Sequence, residues 1–553
     1  MQDLQVSVPV LPRSPSNSVR IRRVKCGEER PSCTRCTSTG RNCEYDRAPS
    51  TALQYPLSAS SPVQGERHAF EYYFYHAAQG LSDTLDFGFW CGTVLQICRA
   101  EPVVWDAIVA LSTLYESPTV LSGLYDTPPV QSRLYDAPPM WSRLYGAPPV
   151  RSRDLSSHLL SSTVPTQRQQ QALTWYSRSI GRLQWQIERG VVDVTVALAS
   201  CILFICIEIL QGNVREALAL YKRGLQLARS ITTPTSAMIV ITSVLQRMGP
   251  WALIIGGVPH ISGGSCSDDE SRTNTPFLSL SEARSRLHAF FPEWKDLDCD
   301  WKVARPRQHT GTSTPEGSLH IPQRVLEHRI LAWHARFSTM PEVQRYIHTH
   351  EPTGHRLLDR RNTHDGIIAG LIMTYTSILI LTQTTINYSE SIYDAYDSEF
   401  MQILRHAPLA LAATACDDGH QPPFVFDMGI GMPLLITALK CRSPAVRRQA
   451  LRLQRQAPQI QSFYLGAMAT PVVAAIVAVE EKGPSVNEAL VMGLLDQPGC
   501  VPPDNQRVLD YCVLPAEVVN GKEPLVLQYT RRESLGDERR IVEERVMLAQ
   551  DGA

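Results

Sequence analysis

The sequence predicts a mainly α-helical protein, in which a small cysteine-rich module is followed by a large all-helical domain. The chain has 553 residues, which is more than one compact core usually holds. Apolar residues recur at three- and four-residue intervals through most of the chain after Glu66. Four of the 14 cysteines lie together between Cys26 and Cys43. These observations predict two kinds of structural unit in one chain.

Composition and charge place a basic module on a neutral body. Hydrophobic residues make up 43% of the chain and charged residues 19%, which is ordinary for a globular protein. The net charge of −1 gives the whole chain no attraction to nucleic acid or to a membrane. Between Arg13 and Arg47, however, nine Lys and Arg residues stand against four Asp and Glu. This local excess favours a small polyanion-binding module.

The cysteines favour metal binding over a disulfide framework. The N-terminus lacks the apolar segment of a signal peptide, so we expect a reducing compartment such as the cytosol or nucleus. In such a compartment clustered cysteines hold metal more often than they form disulfides. The other ten cysteines are scattered, and Cys201 and Cys206 lie in an apolar segment where a thiol packs as a small hydrophobe.

Five parts follow in chain order. We predict a disordered N-terminus at 1–19, a cysteine-rich module at 20–47, a linker at 48–65, a helical domain at 66–490 and a C-terminal tail at 491–553. The linker shows no heptad pattern, so a coiled coil is not expected there. The tail segment PLVLQYTRRESLGDERRIVEERVML fits a hairpin or a final helix.

Two stretches interrupt the helical pattern. Residues 117–155 repeat with a period of ten: SPTVLSGLYD, TPPVQSRLYD, APPMWSRLYG and APPVRSRDL. Prolines recurring every ten residues forbid a long helix, so we expect a surface insertion, or alternatively a proline-rich ligand for a partner domain. Residues 259–325 are rich in Gly, Ser, Thr and Pro and predict loops around short helices.

Several helices can be placed from pattern alone. Apolar residues on one face predict a helix that ends near Gly190. Val194–Leu210 is apolar all round, which predicts a buried helix, and Ser443 before Pro444 predicts a helix start. Val194–Leu210 and Gly366–Leu381 are shorter than the roughly 20 apolar residues of a spanning helix, so no membrane association is expected.

The chemistry of the chain centres on the clustered cysteines. Cys26, Cys33, Cys36 and Cys43 have the spacing Cys-x6-Cys-x2-Cys-x6-Cys, and the basic block RIRRVK directly precedes the first. Thiolate is a soft ligand that favours zinc, and four thiolates can reach one or two zinc ions. The sequence therefore predicts a structural zinc site beside a cationic segment.

This segment resembles the DNA-binding domain of fungal zinc-binuclear-cluster (Zn2Cys6) transcription factors. In that family six cysteines bind two zinc ions, and the first and fourth bridge the metals. The four cysteines resemble the third to sixth of the pattern, Pro31 the loop proline, and RIRRVK the basic helix between the second and third. Later segments resemble the family's helical regulatory region: AFEYYFYHAAQGLSDTLDFGFWCGTVLQICRAEPVVWDAIVALSTLYE, ALTWYSRSIGRL, ALASCILFICIEILQGN and DMGIGMPLLITALKCRSPAVRRQALRLQ.

The sequence departs from the family pattern at its first two ligands. Counting back, Ser16 and Val19 stand where the first and second cysteines belong. Three explanations are open: an incorrect or alternative first exon, a degenerate finger that has lost DNA binding, or a reduced site with one zinc. The resemblance implies two zinc ions if the missing Cys-x2-Cys is restored, and one or none in this chain.

The resemblance also implies a function. It implies a sequence-specific DNA-binding regulator of RNA polymerase II genes that reads CGG-type triplets. Arg22 and Arg23 would contact the bases, while Arg20 and Lys25 would reach phosphates or groove edges. The implied location is the nucleus, and the implied partners are double-stranded DNA and the transcription machinery, with either a homodimer or a monomer on DNA.

Two further readings bear on function. Control of a secondary-metabolite or nutrient pathway is typical of the family. The alternative is a degenerate regulator that has lost DNA binding and acts by protein–protein interaction. An enzyme is not expected, because the sequence contains none of the metalloprotease, nucleophile-elbow or phosphate-loop motifs.

Overall fold

A computed structural model describes the protein over most of its helical domain. The described residues are 64–82, 85–118, 166–256, 275–304, 316–349, 363–387, 389–416, 418–483, 491, 493–515, 525–535 and 538–547. By internal contacts the chain divides into two units, Met1–Gln64 and Gly65–Ala553. The structural description below concerns the second unit. The predicted module at 20–47 and most of the repeat at 117–155 lie outside the described residues.

Helices dominate the described part, as the sequence predicts. The first half contains nine labelled α-helices: α1 (Gln64–Tyr72), α2 (Ala78–Leu81), α3 (Val94–Ala100), α4 (Pro102–Glu116), α5 (Gln167–Glu188), α6 (Val194–Leu210), α7 (Val214–Ser230), α8 (Ser236–Arg247) and α9 (Gly249–Gly256). Two π-helical turns, Tyr73–Ala77 and Phe89–Thr93, join or precede these helices.

The second half continues the helical architecture and adds short strands. Its helices and strands are α10 (Leu280–His288), α11 (Phe290–Ala304), α12 (Glu316–Ser338), α13 (Pro341–Thr349), α14 (Thr363–Thr384), α15 (Asp397–Thr414), β1 (Phe424–Val425), α16 (Gly431–Lys440), α17 (Pro444–Gln456), β2 (Ile460–Gln461), β3 (Tyr464–Leu465), α18 (Gly466–Lys482), β4 (Val508–Pro515), β5 (Leu525–Leu535) and β6 (Glu538–Met547). A 3₁₀ turn, Glu390–Tyr396, precedes α15. The region 275–304 therefore holds two helices, and α12 begins before the predicted loop-rich stretch ends.

The core is built on helices that are apolar on several sides. α4 and α6 bury nearly all of their side chains, including Ile108, Leu111, Ile202 and Ile205, each of which is fully buried. α4 packs on α5 and α6, and α6 packs on α7. Burial of this much apolar surface stabilises the domain more than helix propensity does.

The structure confirms the helix boundaries that the sequence predicts near Gly190 and at Pro444. α5 ends at Glu188, and Gly190 adopts the left-handed conformation, with φ +66°, that favours glycine after a helix. α6 is the buried helix that its composition predicts. α17 begins at Pro444 with Ser443 as the N-cap residue, although the Ser443 side chain makes no capping hydrogen bond.

Two described helical segments are long and apolar enough to cross a membrane by length and composition. They are Ser236–Ile255 and His364–Thr384, and 56% and 72% of their apolar windows are buried inside the protein. A core helix passes the same test, and both segments contribute side chains to the domain core.

The C-terminal segment forms a three-stranded antiparallel sheet in the order β4–β5–β6. Of the two predicted alternatives, the hairpin is therefore the correct one, and β4 adds a third strand. Just before β4, Arg507 enters the helical domain and its guanidinium lies 3.0 Å from Glu480. The Glu480 carboxylate also meets Arg447 at 2.6 Å and accepts a hydrogen bond from the backbone N–H of Val508.

Candidate functional site

The sequence-predicted site residues fall outside the part of the chain that the structure describes. They are Cys26, Cys33, Cys36 and Cys43 for zinc and Arg20, Arg22, Arg23 and Lys25 for DNA. Among the described residues, no group of three or more His, Cys, Asp or Glu side chains is arranged to hold a metal ion. The candidate site that the described residues do form is a cavity in the helical domain.

The cavity has a volume of about 900 Å³ and lies where several separate segments converge. The π-helical turn after α1, the end of α4, and the helices α14 and α15 all contribute to its lining. Tyr75 and Phe87 line the cavity and are 60% and 53% exposed, so the cavity reaches the surface there. Sites for small molecules are commonly concave and mostly apolar, with few polar groups.

The wall formed by α14 and α15 depends on two glycines with different surroundings. A Cβ atom at Gly366 would overlap the Cβ of Ala413 and approach the carbonyl oxygen of Leu409 to 3.2 Å. The absence of a side chain at Gly366 therefore lets the two helices approach closely. At Gly370, one turn further along α14, a Cβ would meet nothing within 4 Å. Gly370 lines the cavity, and no close contact with another helix requires glycine there.

One end of the cavity is lined by the segment between β1 and α16, which buried side chains hold in place. Tyr115 donates a 2.9 Å hydrogen bond to the carbonyl oxygen of Phe424. Trp251 donates from its indole nitrogen to the carbonyl oxygen of Met428 at 3.0 Å. The Gln461 amide oxygen accepts from the backbone N–H of Gly431 at 2.7 Å. Buried backbone groups satisfied in this way fix the course of the segment.

A cluster of charged side chains lies at this end. Asp427 forms an ion pair with Arg284, and His288, on the same helix as Arg284, also lines the cavity. Arg247 forms a second ion pair with Asp86. The Arg284 and Arg247 side chains are only 5% and 6% exposed, so water screens these charges weakly.

The electrostatics of the cluster favour negative charge at Asp427. Burial alone would raise the pKa of the Asp427 carboxyl, but the positive charges of Arg284, Arg247 and His288 lower the pKa below its ordinary value. The backbone N–H of Met428 also donates a hydrogen bond to this carboxylate at 2.8 Å. The positive side chains thus hold Asp427 as a carboxylate.

Sequence reasoning did not identify this cavity. Arg284 and Asp427 are 143 positions apart in the chain, and each resembles a surface charge within its own segment. The segment DMGIGMP, whose two glycines stand out in the sequence, does lie here: Gly429 has φ +60° and packs against Gln461. The two glycines of this segment are a local signal of a turn at this point.

Comparison with known proteins identifies the N-terminal module. Residues 20–52 match the family model described as the Fungal Zn(2)-Cys(6) binuclear cluster domain. The matched range contains the four clustered cysteines and the basic block, and it excludes Ser16 and Val19. No curated protein and no solved structure matches the chain.

The match concerns the N-terminal module. Residues 20–52 resemble the zinc-binding, DNA-binding domain of fungal zinc-cluster transcription regulators, and the helical remainder fits a regulatory domain. The resemblance found in the sequence is therefore confirmed. Members of this family are transcription factors and act in the nucleus in general.

The donor set of the module suits zinc in chemistry but differs from the family in number. Four cysteines in the matched range supply the soft thiolate ligands that zinc prefers. Ser16 and Val19 supply no thiolate at the two upstream positions. Cys33, Cys36 and Cys43 would hold one ion of the family's cluster, and Cys26 and Cys33 would be left for the other.

Proposed function

We propose that the protein regulates transcription by reading CGG-type triplets through residues 20–47, with Arg22 and Arg23 as the base-contacting side chains. The observation that carries this proposal is the block RIRRVK, which directly precedes the first cysteine of the matched zinc domain. Arginine donating to guanine O6 and N7 is the commonest specific contact in the major groove. Arg20 and Lys25 hold the phosphates and so position the module without reading sequence.

Zinc supplies the folding free energy of this module, since so short a segment cannot build a hydrophobic core. Cys26, Cys33, Cys36 and Cys43 are its proposed ligands. We expect one zinc ion or none in the chain with Ser16 and Val19, and two if cysteines stand at those positions. The protein acts in the nucleus by binding DNA and the transcription machinery, as a monomer or a homodimer, and without catalysis. We infer that its target genes belong to a secondary-metabolite or nutrient pathway.

The decisive experiment restores the missing ligands. The double variant Ser16→Cys/Val19→Cys recreates the family spacing, whereas Ser14→Cys/Asn17→Cys has the same Cys-x2-Cys spacing shifted by two residues. Zinc per chain is measured by mass spectrometry, and affinity by fluorescence anisotropy on a CGG duplex and a scrambled duplex. We expect two zinc ions in the restored chain only, and a preference for CGG that is present in the unmodified chain but stronger in the restored one. Two zinc ions without any preference for CGG would overturn the reading of this triplet.

A second candidate function follows from the absence of cysteine at Ser16 and Val19. If the module has degenerated, the protein acts through its helical domain by protein–protein interaction. In that case the unmodified chain binds no zinc and binds both duplexes equally weakly. A CGG preference in the unmodified chain would contradict this alternative.

The roles of the basic residues are tested in the restored chain. We expect Arg22→Gln and Arg23→Gln each to weaken binding to the CGG duplex by about 1–3 kcal/mol and to relax specificity. Lys25→Gln should instead weaken binding to both duplexes and reduce the slope of log affinity against log salt by about 1. Equal losses on both duplexes for Arg22→Gln would assign Arg22 to phosphate contact.

A further inference from the structure

We propose that the cavity binds the chain's own decapeptide repeat, so that a Pro-Pro-Val or Pro-Pro-Met sequence of residues 117–155 contacts Tyr72, Tyr75 and Phe87. The same molecule supplies the occupant, one repeat unit at a time. This inference concerns the helical domain and does not depend on how the N-terminal module reads DNA.

The chain leaves and re-enters the described structure at one place. The description stops after residue 118, just beyond α4, and resumes at residue 166, just before α5. Glu116, the last residue of α4, forms an ion pair with Arg168 of α5 at 2.9 Å. Residues 119–165 therefore start and finish close to the same point, and they include most of the repeat.

This point is beside the cavity. Tyr115 lines the cavity and binds the carbonyl oxygen of Phe424, and Glu116 follows Tyr115 directly. The Glu116 carboxylate also lies 3.6 Å from His68 on α1, the helix that ends at Tyr72 in the cavity lining. A segment tethered beside a site has an effective concentration there of the order of mM. Even a weakly binding sequence would then occupy the cavity.

The lining offers the surface that a proline-rich sequence binds. Tyr75 and Phe87 are mostly exposed at the opening of the cavity, and Tyr72 is partly buried beside them. Proline-rich segments bind in grooves lined with aromatic side chains. Because proline fixes its own φ angle, a sequence with paired prolines loses little conformational entropy when it binds.

The repeat supplies matching chemistry. Three of its four units carry paired prolines followed by Val or Met, and prolines at this period exclude a long helix that could bury these side chains. The same three units each carry at least one arginine. In the cavity lining Arg284 and Asp427 neutralise each other, whereas the exposed Asp418 adds a negative charge. That charge attracts the arginine of a bound unit.

The test asks first whether a repeat unit binds when it is supplied separately. The probe is a fluorescein-labelled peptide TPPVQSRLYD, the sequence of residues 127–136, and fluorescence anisotropy measures its binding. Its target is the serine variant, a full-length chain in which serine replaces the paired prolines of the repeat. Those prolines are Pro128, Pro129, Pro138, Pro139, Pro148 and Pro149. We expect a Kd of about 0.1 mM. Absence of binding would overturn the proposal.

The peptide TSSVQSRLYD is the matched control for the paired prolines. We expect it to bind the serine variant at least tenfold more weakly than TPPVQSRLYD, since it lacks both proline rings and their restricted backbone. Equal affinities of the two peptides would overturn the requirement for proline.

Competition shows whether the chain's own repeat occupies the site. With an effective concentration of about 1 mM and a Kd of about 0.1 mM, the tethered repeat should weaken probe binding to the wild-type chain about tenfold relative to the serine variant. Equal affinity for the two chains would overturn occupancy by the repeat. Sedimentation velocity should find the same oligomeric state in both. A wild-type dimer that the serine variant does not form would assign the occupant to a second copy and overturn binding within one molecule.

Two pairs of substitutions in the serine variant locate the probe. Tyr75→Ser/Phe87→Ser removes aromatic surface from the cavity opening and should weaken probe binding about tenfold or more. The matched control, Trp185→Ser/Ile187→Ser, removes side chains that are 50% and 54% exposed on α5, outside this lining, and should leave the affinity unchanged. Unchanged affinity in Tyr75→Ser/Phe87→Ser, or an equal loss in the control, would overturn the site.

Discussion

At the scale of the residue, the cysteines of this chain fall into two chemical groups. The four in the matched domain are proposed zinc ligands, whereas Cys98 and Cys206 are buried in the helical core. Burial raises the pKa of the Cys98 thiol to about 12 and also raises that of Cys206. A buried thiol with a raised pKa reacts slowly, because the thiolate is the nucleophile.

This difference predicts an alkylation pattern. With zinc present, iodoacetamide at neutral pH should modify the four module cysteines slowly, and a chelator should make all of them reactive. Cys98 and Cys206 should remain unmodified in both samples and serve as internal controls. Peptide mass spectrometry measures each site. If the chelator does not change the labelling of Cys26, Cys33, Cys36 or Cys43, that residue is not a ligand in this chain.

A second prediction at the residue scale concerns Asp427 and acid. Its pKa is lowered in the folded protein, so the unfolded chain takes up the proton first as the pH falls. The contribution of Asp427 to stability is therefore complete above its ordinary pKa of 3.8 and decreases below it. The stability gap between the wild type and Asp427→Asn should be constant near neutral pH and narrow below about pH 4. Urea denaturation at several pH values measures the gap, and a gap that does not change with pH contradicts the prediction.

At the scale of the element, α14 carries two glycines at which substitution by alanine should have opposite effects on stability. Gly366→Ala places a methyl group against Ala413 and should force α14 and α15 apart, at a cost of about 1–3 kcal/mol. Gly370→Ala meets open space and should stabilise the helix by up to about 1 kcal/mol. The free energy of unfolding, measured for both variants, tests this difference in stability. Similar effects at the two positions would show that the close helix contact is not specific to Gly366.

The elements also show which parts of the secondary structure the sequence pattern can predict. The end of α5 at Gly190 and the start of α17 at Pro444 are local events, because the backbone preferences of Gly and Pro decide them. The C-terminal hairpin could not be chosen over a helix from sequence. Some of its charged side chains are paired across strands, as Arg531 is with Glu544 at 2.6 Å. Such pairing depends on the register between β5 and β6.

At the scale of the whole molecule, a buried group of charged side chains around Glu480 joins separate elements of the described chain. Glu480, Arg447 and Arg507 are at most 1% exposed, and they join α18, α17 and the segment before β4. Burial lowers the pKa of Arg447, although Glu480 opposes this. Removing one member of a buried ion pair leaves uncompensated charge in the interior.

Glu480→Gln should therefore destabilise the domain strongly, by about 3–5 kcal/mol. Glu543→Gln, on the exposed face of the C-terminal sheet, is the matched control and should change stability by less than about 0.5 kcal/mol. The free energy of unfolding from urea denaturation measures both. A loss of only a few tenths of a kcal/mol in Glu480→Gln would show that the cluster is not decisive.

The site differs from the fold in how much of it could be predicted. The proposed zinc ligands and the basic block are close in sequence, so spacing alone predicts them, and the family match confirms the type of domain. The cavity is assembled from α4, α10, α14 and the β1 segment, which only tertiary packing brings together. Arg284 and Asp427 look like solvated charges in the sequence, but the fold places them side by side and buries the arginine.

The position of Arg507 links the folding of the helical domain to the order of its synthesis. The Glu480 carboxylate receives Arg447 from α17, but Arg507 and the Val508 N–H come from later in the chain. While the ribosome is still making that segment, the newly made helices hold a carboxylate whose partners are incomplete. The contacts around Glu480 can therefore be completed only after Arg507 and Val508 have emerged.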